Sequence, residues 1–255
     1  MNIGIIGYGS LGRALYNSLG KGKIHSIHIC EKKRIKEKGI RTADISTIIK
    51  SDQLFISVND DSIQNIVMKL RSFKNNIVFF SASVEMSYLK KHLKHAKSIS
   101  IFHPIQSFSK NTVKVTQFKS IYATLEERGK NEFLHQFAVK NKIKVIKVNK
   151  KINRNLYHLS SMLAGNYTLT LILIASDLIK ESLNRKGIGY EVFLPMLNSL
   201  IKRINKENPK NVISGPSARD DKKKIQSMKR LLKEKDLAIL LSILDKRTKR
   251  ALQNG

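Results

Sequence analysis

Met1-Asn2-Ile3-Gly4-Ile5-Ile6-Gly7-Tyr8-Gly9-Ser10-Leu11-Gly12 decides how the rest of the chain is read. The first six residues are a short apolar run of strand-forming type. They lead directly into G-x-G-x-x-G, after which Leu11, Ala14, Leu15 and Leu19 recur at helical spacing. The motif therefore sits where a strand turns into a helix, and each glycine has a task there. Gly7 permits the tight turn, Gly9 lets backbone approach a pyrophosphate with no Cβ between, and Gly12 lets helix and strand pack closely. The unpaired amides at the helix start carry partial positive charge and suit an anion. Gly7, Tyr8, Gly9, Ser10, Leu11 and Gly12 are thus the candidate cofactor turn. Glu31, about 20 residues on, stands where the dinucleotide fingerprint places its acid. The alternative is a glycine-rich turn that holds no ligand.

Working outward, the first half alternates strand and helix. Strands are predicted at Asn2–Ile6, Ile24–Cys30, Leu54–Val58, Ile77–Ser81, Ser98–Phe102, Ile121–Leu125 and Lys144–Val148. Helices are predicted at Leu11–Leu19, Ile63–Arg71, Met86–Leu93 and Gly129–Lys140. This pattern predicts an α/β fold with a parallel, doubly wound sheet, in which ligands bind beyond the carboxyl ends of the strands. From Asn153 no strand pattern recurs. A long helix is predicted from about Asn153 to Ile179, then others at Glu191–Asn205, Asp220–Leu232 and Lys235–Leu252. The expected organisation is a dinucleotide-binding domain over 1–150 and an all-α domain over 151–255.

Composition narrows the class. At 255 residues, 41% hydrophobic and 26% charged, the chain is globular in type and can bury a sizeable core. A net charge of +29 raises nucleic-acid or anionic-membrane binding. The cations are spread along the whole chain, Trp is absent, and no aromatic stacking platform is evident, so a nucleic-acid partner is not expected. The single cysteine, Cys30, excludes an internal disulfide. The chain starts on a core strand, and its longest apolar stretch, Leu169–Ala175, is too short to span a bilayer. A cytoplasmic enzyme without a membrane partner or a metal is expected.

Residues just after the strands are the candidate chemistry. Lys32, Lys33 and Arg34 follow the second strand beside Glu31. Three cations suit a ribose 2′-phosphate and lean toward NADP, whereas Glu31 keeps NAD possible; an ordinary charged loop is the bland alternative. Asn59 and Asp60 can cap the next helix and also touch the cofactor. Ser81 and Ser83 offer hydroxyls to a substrate or merely form a turn. His103, held extended by Pro104, is either a proton-transfer group or a loop-stabilising histidine. On the long helix His158, Met162 and Asn166 share one face at four-residue spacing, either gripping a substrate oxygen or satisfied within a core. Arg219 is a candidate fork for a substrate carboxylate, or it pairs with an acidic neighbour. Asp220 or Asp221 can cap the helix that follows.

Taken in order, the glycine turn, Val58-Asn59-Asp60-Asp61, His103-Pro104-Ile105-Gln106-Ser107-Phe108, His158 with Ala164-Gly165-Asn166-Tyr167, and Gly215-Pro216-Ser217-Ala218-Arg219-Asp220 resemble one family. It is the group of Rossmann-like proteins with a C-terminal helical domain labelled DUF2520, described as NADP-dependent oxidoreductases. The resemblance spans nearly the whole chain. It implies the architecture of 6-phosphogluconate-dehydrogenase-like enzymes, with a C-terminal helical domain of that type. It also implies an NADP-dependent reductase of a small 2-oxo acid, and 2-dehydropantoate is the substrate first expected. Another carbonyl, an imine, a prephenate-like acid, or NADP binding without turnover are the rival readings. The resemblance further implies that His158 or His103 donates a proton, Asn166 orients a carbonyl and Arg219 holds a carboxylate. A homodimer paired through the helical domain is expected as well. Related β-hydroxyacid dehydrogenases place a lysine four residues before the helix asparagine. Met162 stands there in this chain and cannot transfer a proton.

Overall fold

The computed structural model describes residues 1–19, 24–31, 35, 37, 39–108 and 117–253. These divide into two compact units, Met1–Tyr167 and Thr168–Gly255. The division falls at 167/168 rather than near Lys150. The reason is that the first turns of the long helix are fastened to the sheet through Arg154 and Tyr157, as described below.

The first unit is a sheet covered on both faces. Its strands are β1 (Asn2–Ile6), β2 (Ser26–Cys30), β3 (Arg41–Thr42), β4 (Gln53–Ile56), β5 (Asn76–Phe79), β6 (Ser98–Pro104), β7 (Tyr122–Arg128) and β8 (Lys144–Lys147). The helices are α1 (Ser10–Leu19), α2 (Ile45–Ile48), α3 (Asp60–Lys69), α4 (Met86–His92), α5 (Glu132–Lys140) and α6 (Arg154–Met162). The order across the sheet is β3-β2-β1-β4-β5-β6-β7-β8. Strands β1 to β6 are parallel, and the order reverses at β1, which lies between β2 and β4. That reversal is the switch point at which doubly wound sheets open a crevice.

Alternation along each strand builds two cores. Phe55, Val78, Phe80 and Phe102 face α1 and α5, joining Leu15, Leu134 and Phe137. Leu54, Ile56, Ile77, Phe79, Ile99 and Ile101 face α3 and α4, joining Ile63, Val67 and Leu89. The short β3 and α2, and a later helix at Pro209–Val212, escape the sequence pattern because two- to four-residue elements carry too few residues to show a period. An all-parallel sheet was also expected, yet β7 runs antiparallel to β6 and carries β8 with it. The predicted elements place no helix between β6 and β7, and a parallel pairing needs such a crossover.

The second unit consists of helices. They are α7 (Thr168–Leu183), a 3₁₀ turn (Tyr190–Phe193), α8 (Leu194–Ile204), α9 (Pro209–Val212), α10 (Lys222–Leu231) and α11 (Lys235–Gln253). Among its described residues only Ser176, Val212 and Ile225 are buried. Asp221 caps α10 by accepting from the Lys224 amide at 3.0 Å. Asp220 instead sits at φ +52 and binds Lys249 of α11 at 2.6 Å, and Asp245 holds the same ammonium at 3.0 Å.

The helical run Arg154–Leu183 corrects one expectation. Counting contiguous apolar residues predicted nothing able to span a bilayer, yet this 30-residue run is long enough and holds an 18-residue window of mean hydropathy 1.5, apolar enough by composition. The core helix of a globular protein meets the same test. Only 6% of that window is buried, although Arg154 at the start of the run is itself buried in ion pairs with Glu126 and Glu85.

Candidate functional site

The glycine turn has the geometry its spacing requires. Gly7 lies at φ +94, a region that L side chains avoid, and a Cβ there would meet the Ser57 carbonyl at 2.4 Å. A Cβ on Gly12 would come within 2.2 Å of the Gly7 carbonyl. Gly9 differs from both, because nothing lies within 4 Å of where its Cβ would project. Two glycines are thus demanded by the packing of β1, β4 and α1, while the middle one faces open space. That space lies at the start of α1, whose first helical bond runs from the Arg13 amide to the Gly9 carbonyl at 3.0 Å. The amides before Arg13 have no partner within the helix. Ser10 and Leu11 open this helix.

Tyr8 does not offer its amide freely. Its N–H donates to Glu31 Oε2 at 2.6 Å, so the acid after β2 reaches over the glycine turn. Its ring is buried, and its hydroxyl donates to Glu37 at 2.8 Å. Burial first, and the Glu37 carboxylate second, push this phenol well above its ordinary range. Arg13 lies over the ring at 5.4 Å and pairs with Glu37 at 3.1 Å. Lys32, Lys33 and Arg34 lie outside the described residues.

At the ends of β4 and β5 the predicted caps are used differently. Asn59 holds the N-cap position of α3 but makes no side-chain cap bond. Asp60 accepts from the Ser81 hydroxyl at 2.8 Å instead. The Ser81 oxygen also takes the amides of Ser83 and Val84 at 3.1 Å each and lies 3.2 Å from the Ser83 hydroxyl. Ser81 is buried within this turn, whereas Ser83 is exposed.

His103 ends β6 one strand further along. Its Nδ1 lies 2.6 Å from the Tyr157 hydroxyl of α6, and that hydroxyl lies 3.2 Å from Thr124 Oγ1 of β7. The rings meet edge to face at 5.3 Å. Thr124 stands opposite His103 in the β6–β7 register, so the two share a face of the sheet. Glu126, two residues along, is on that face too and pairs with the buried Arg154 guanidinium, which also lies 3.5 Å from Glu85. Burial first, and then the neighbouring His158, lower the His103 pKa to about 4; Asp60 opposes them, and Arg154 adds a smaller push downward. His103 is therefore a neutral imidazole near pH 7. Burial raises the Tyr157 pKa, opposed by the Thr124 bond and by Arg154.

The helix carrying His158, Met162 and Asn166 is not α-helical throughout. Leu163–Tyr167 forms a π-turn, which winds less per residue than the α-helix before it. A π-turn of about 4.4 residues still brings Asn166 round close to the face of Met162. His158 and Asn166 are both exposed. Arg219 of the second unit is exposed, and its side chain makes no ion pair among the described residues. Sequence reading missed Tyr157, Thr124 and Arg154. None of the three carries a signal of its own in the sequence, because their partners lie far along the chain, on other strands, on α6 and at the start of α4.

The fold and this turn define a class: an α/β protein with a Rossmann-type sheet, a dinucleotide-type glycine turn and a helical C-terminal unit. Within it, the chain belongs to the family described as Domain of unknown function (DUF2520), whose model matches residues 121–248, half of the chain. Solved structures of similar fold include a candidate NADP oxidoreductase from Bacteroides fragilis, at 19% identity and TM-score 0.79, covering 98% of both chains. A protein from Thermotoga maritima, also at 19% identity, has a TM-score of 0.69 and covers 99% of this chain and 98% of its own. A pyrroline carboxylate reductase from Plasmodium falciparum, solved with NADP bound, is 10% identical with a TM-score of 0.62, covering 99% and 98%. At such identities the likeness concerns the fold. No curated protein matches the chain.

Proposed function

We propose that this protein is an NADP-dependent oxidoreductase that reduces a small 2-oxo acid, with 2-dehydropantoate as the first substrate to test. The observation that carries the reading is the empty space before Gly9, between two glycines that packing forbids to change. That space meets the helix start where a diphosphate is best held. The residues fit the group: Gly9, Ser10, Leu11 and Gly12 would hold its diphosphate, with Glu31 on the ribose side and Asn59 and Asp60 at the next strand end. Lys32, Lys33 and Arg34 are the residues we assign to the 2′-phosphate. When bound, NADPH supplies a hydride.

This chain's own groups then orient and polarise the acceptor. Neutral His103 serves as a hydrogen-bond donor to the carbonyl oxygen, and exposed His158 is the alternative proton donor. Asn166 orients the carbonyl, Ser81 and Ser83 line the strand end, and Arg219 recognises a carboxylate. The exposed apolar helices of the second unit support a homodimer paired through that unit, and we place the protein in the cytoplasm.

Purified protein with NADPH and 2-dehydropantoate should consume the cofactor. Turnover of another oxo acid, an imine or a prephenate-like acid would move the substrate and leave the class intact. Met162, in place of a lysine, favours one rival, a protein that binds NADP without turnover. Tight NADP binding with no consumption across the whole panel would establish that rival.

A further inference from the structure

The group that fixes how His103 presents its proton lies on α6. The Tyr157 hydroxyl has one hydrogen and two neighbours, His103 Nδ1 at 2.6 Å and Thr124 Oγ1 at 3.2 Å. An imidazole nitrogen is a far stronger acceptor than an aliphatic hydroxyl, and the shorter contact is the one to nitrogen. This asymmetry favours the phenol proton on Nδ1, with the Thr124 hydroxyl donating to the phenol oxygen. A chain with one polarity results, from Thr124 to Tyr157 to His103.

We propose that Tyr157 is a positioning residue that locks His103 in the Nε2–H tautomer, leaving Nε2–H as a donor at the carboxyl end of β6. Nε2 has no hydrogen-bond partner among the described residues. The ring sits between four neighbours able to set its charge: Arg154 and His158 on its own side in α6, Asp60 at the start of α3, and Glu126 beyond Thr124 on β7. Arg154 is neutralised in place by Glu126 and Glu85, which fixes α6 against the sheet and sets the height of Tyr157 over His103. A second tautomer would turn Nδ1–H toward the phenol oxygen. It would also send the phenol hydrogen to the more distant Thr124 oxygen, so the first arrangement is favoured.

The consequence for chemistry rests on the reductase reading. A neutral imidazole donating from Nε2 stabilises charge developing on a carbonyl oxygen without first having to pick up a proton, so it works across the neutral range. Histidine tautomer choice by the hydrogen bond at the other ring nitrogen is a general device; here the partner is a phenol rather than a carboxylate, which leaves the ring neutral.

The test reads the tautomer directly and needs no turnover. Long-range proton–nitrogen NMR correlations of the His103 ring in the full-length wild type should show a single Nε2–H form from pH 5 to pH 8. Tyr157→Phe, which keeps the ring contact and removes the donor, should give mixed tautomers. A sole Nδ1–H form in the wild type, or an unchanged Tyr157→Phe spectrum, overturns the proposal. If Tyr157→Phe fails to fold, Thr124→Val removes only the far donor. It should move the Nδ1 shift while the Nε2–H form persists, and no movement of Nδ1 would break the chain. With a turned-over substrate in hand, Tyr157→Phe should lower kcat by roughly 10–100-fold, less than outright loss of an oxyanion donor, with the KM for NADPH unchanged. Mixed tautomers together with full kcat would overturn the catalytic part while leaving the reductase reading in place.

Discussion

The two units solve the problem of burying apolar surface in opposite ways. In Met1–Tyr167, Phe55, Phe79 and Phe102 are entirely enclosed between a sheet and its helices. In Thr168–Gly255, Leu231 is 80% exposed, Ile239 60% and Leu173 57%, and only three described residues are buried. Burying one such side chain contributes about 1.5–3 kcal/mol. The sheet unit collects that within its own chain. The helical unit leaves it uncollected, and a second copy of the same helices is the cover we propose. Composition alone does not separate the units; what differs is whether the topology supplies a partner face.

The sharpest test of that contrast sits in the sheet unit. Gly12→Val would drive a side chain into the Gly7 backbone carbonyl, which cannot swing aside, and should cost more than about 4 kcal/mol, the range reserved for overpacking and backbone conflict. Urea denaturation should find little folded protein. Phe55→Ala should cost about 3–5 kcal/mol. The matching change in the other unit, Leu231→Ala, should stay within about 0.5 kcal/mol in the monomer. Equal losses at Phe55 and Leu231 would erase the distinction between the units. Leu173→Lys should turn the dimer into monomer by sedimentation velocity, and a wild type that is already monomeric would remove the second copy as the cover.

A smaller effect comes from acid. The His103 pKa falls from 6.5 to about 4 on folding, chiefly through burial. The unfolded chain therefore takes up this proton first as pH falls. Stability held by the neutral ring is complete above pH 6.5 and drains away between there and about pH 4, by on the order of 3 kcal/mol. His103→Gln should flatten that part of the urea-midpoint curve. A wild-type curve level from pH 7 to pH 4.5 would show that the ring is not held neutral.

Much of this was legible from residue order. The apolar run before Gly7, the spacing of Leu11, Ala14 and Leu15, and the alternation through Leu54–Ile56 give the sheet unit because strand and helix periods are written in consecutive residues. The π-turn at Leu163–Tyr167 was not legible, since no residue type demands a π-turn and one extra residue per turn leaves the composition unchanged. Nor was Tyr157, because its meaning depends on β7 pairing antiparallel with β6 and bringing Thr124 opposite His103. Asp60 read as a helix cap on local grounds, yet Ser81, more than twenty residues away, claims it. Site residues whose role is set by their own turn could be read; those whose role is set by a neighbouring strand could not.

The smallest expected effect on stability is the most informative about the sheet unit. Gly9 has no positive φ and nothing within 4 Å of an added Cβ, so Gly9→Ala should fold with stability within about 0.5 kcal/mol of wild type. The helical unit exposes apolar side chains that a protein surface can cover. The opening at Gly9 is bordered by backbone N–H groups, and only an anion pressed close to them would notice a methyl group. NADPH affinity by calorimetry should therefore fall tenfold or more, about 1.4 kcal/mol, while the urea midpoint stays in place. A variant that binds NADPH as tightly as wild type would mean that the diphosphate does not lie against this turn. The sheet unit would then keep its architecture and lose the cofactor assignment.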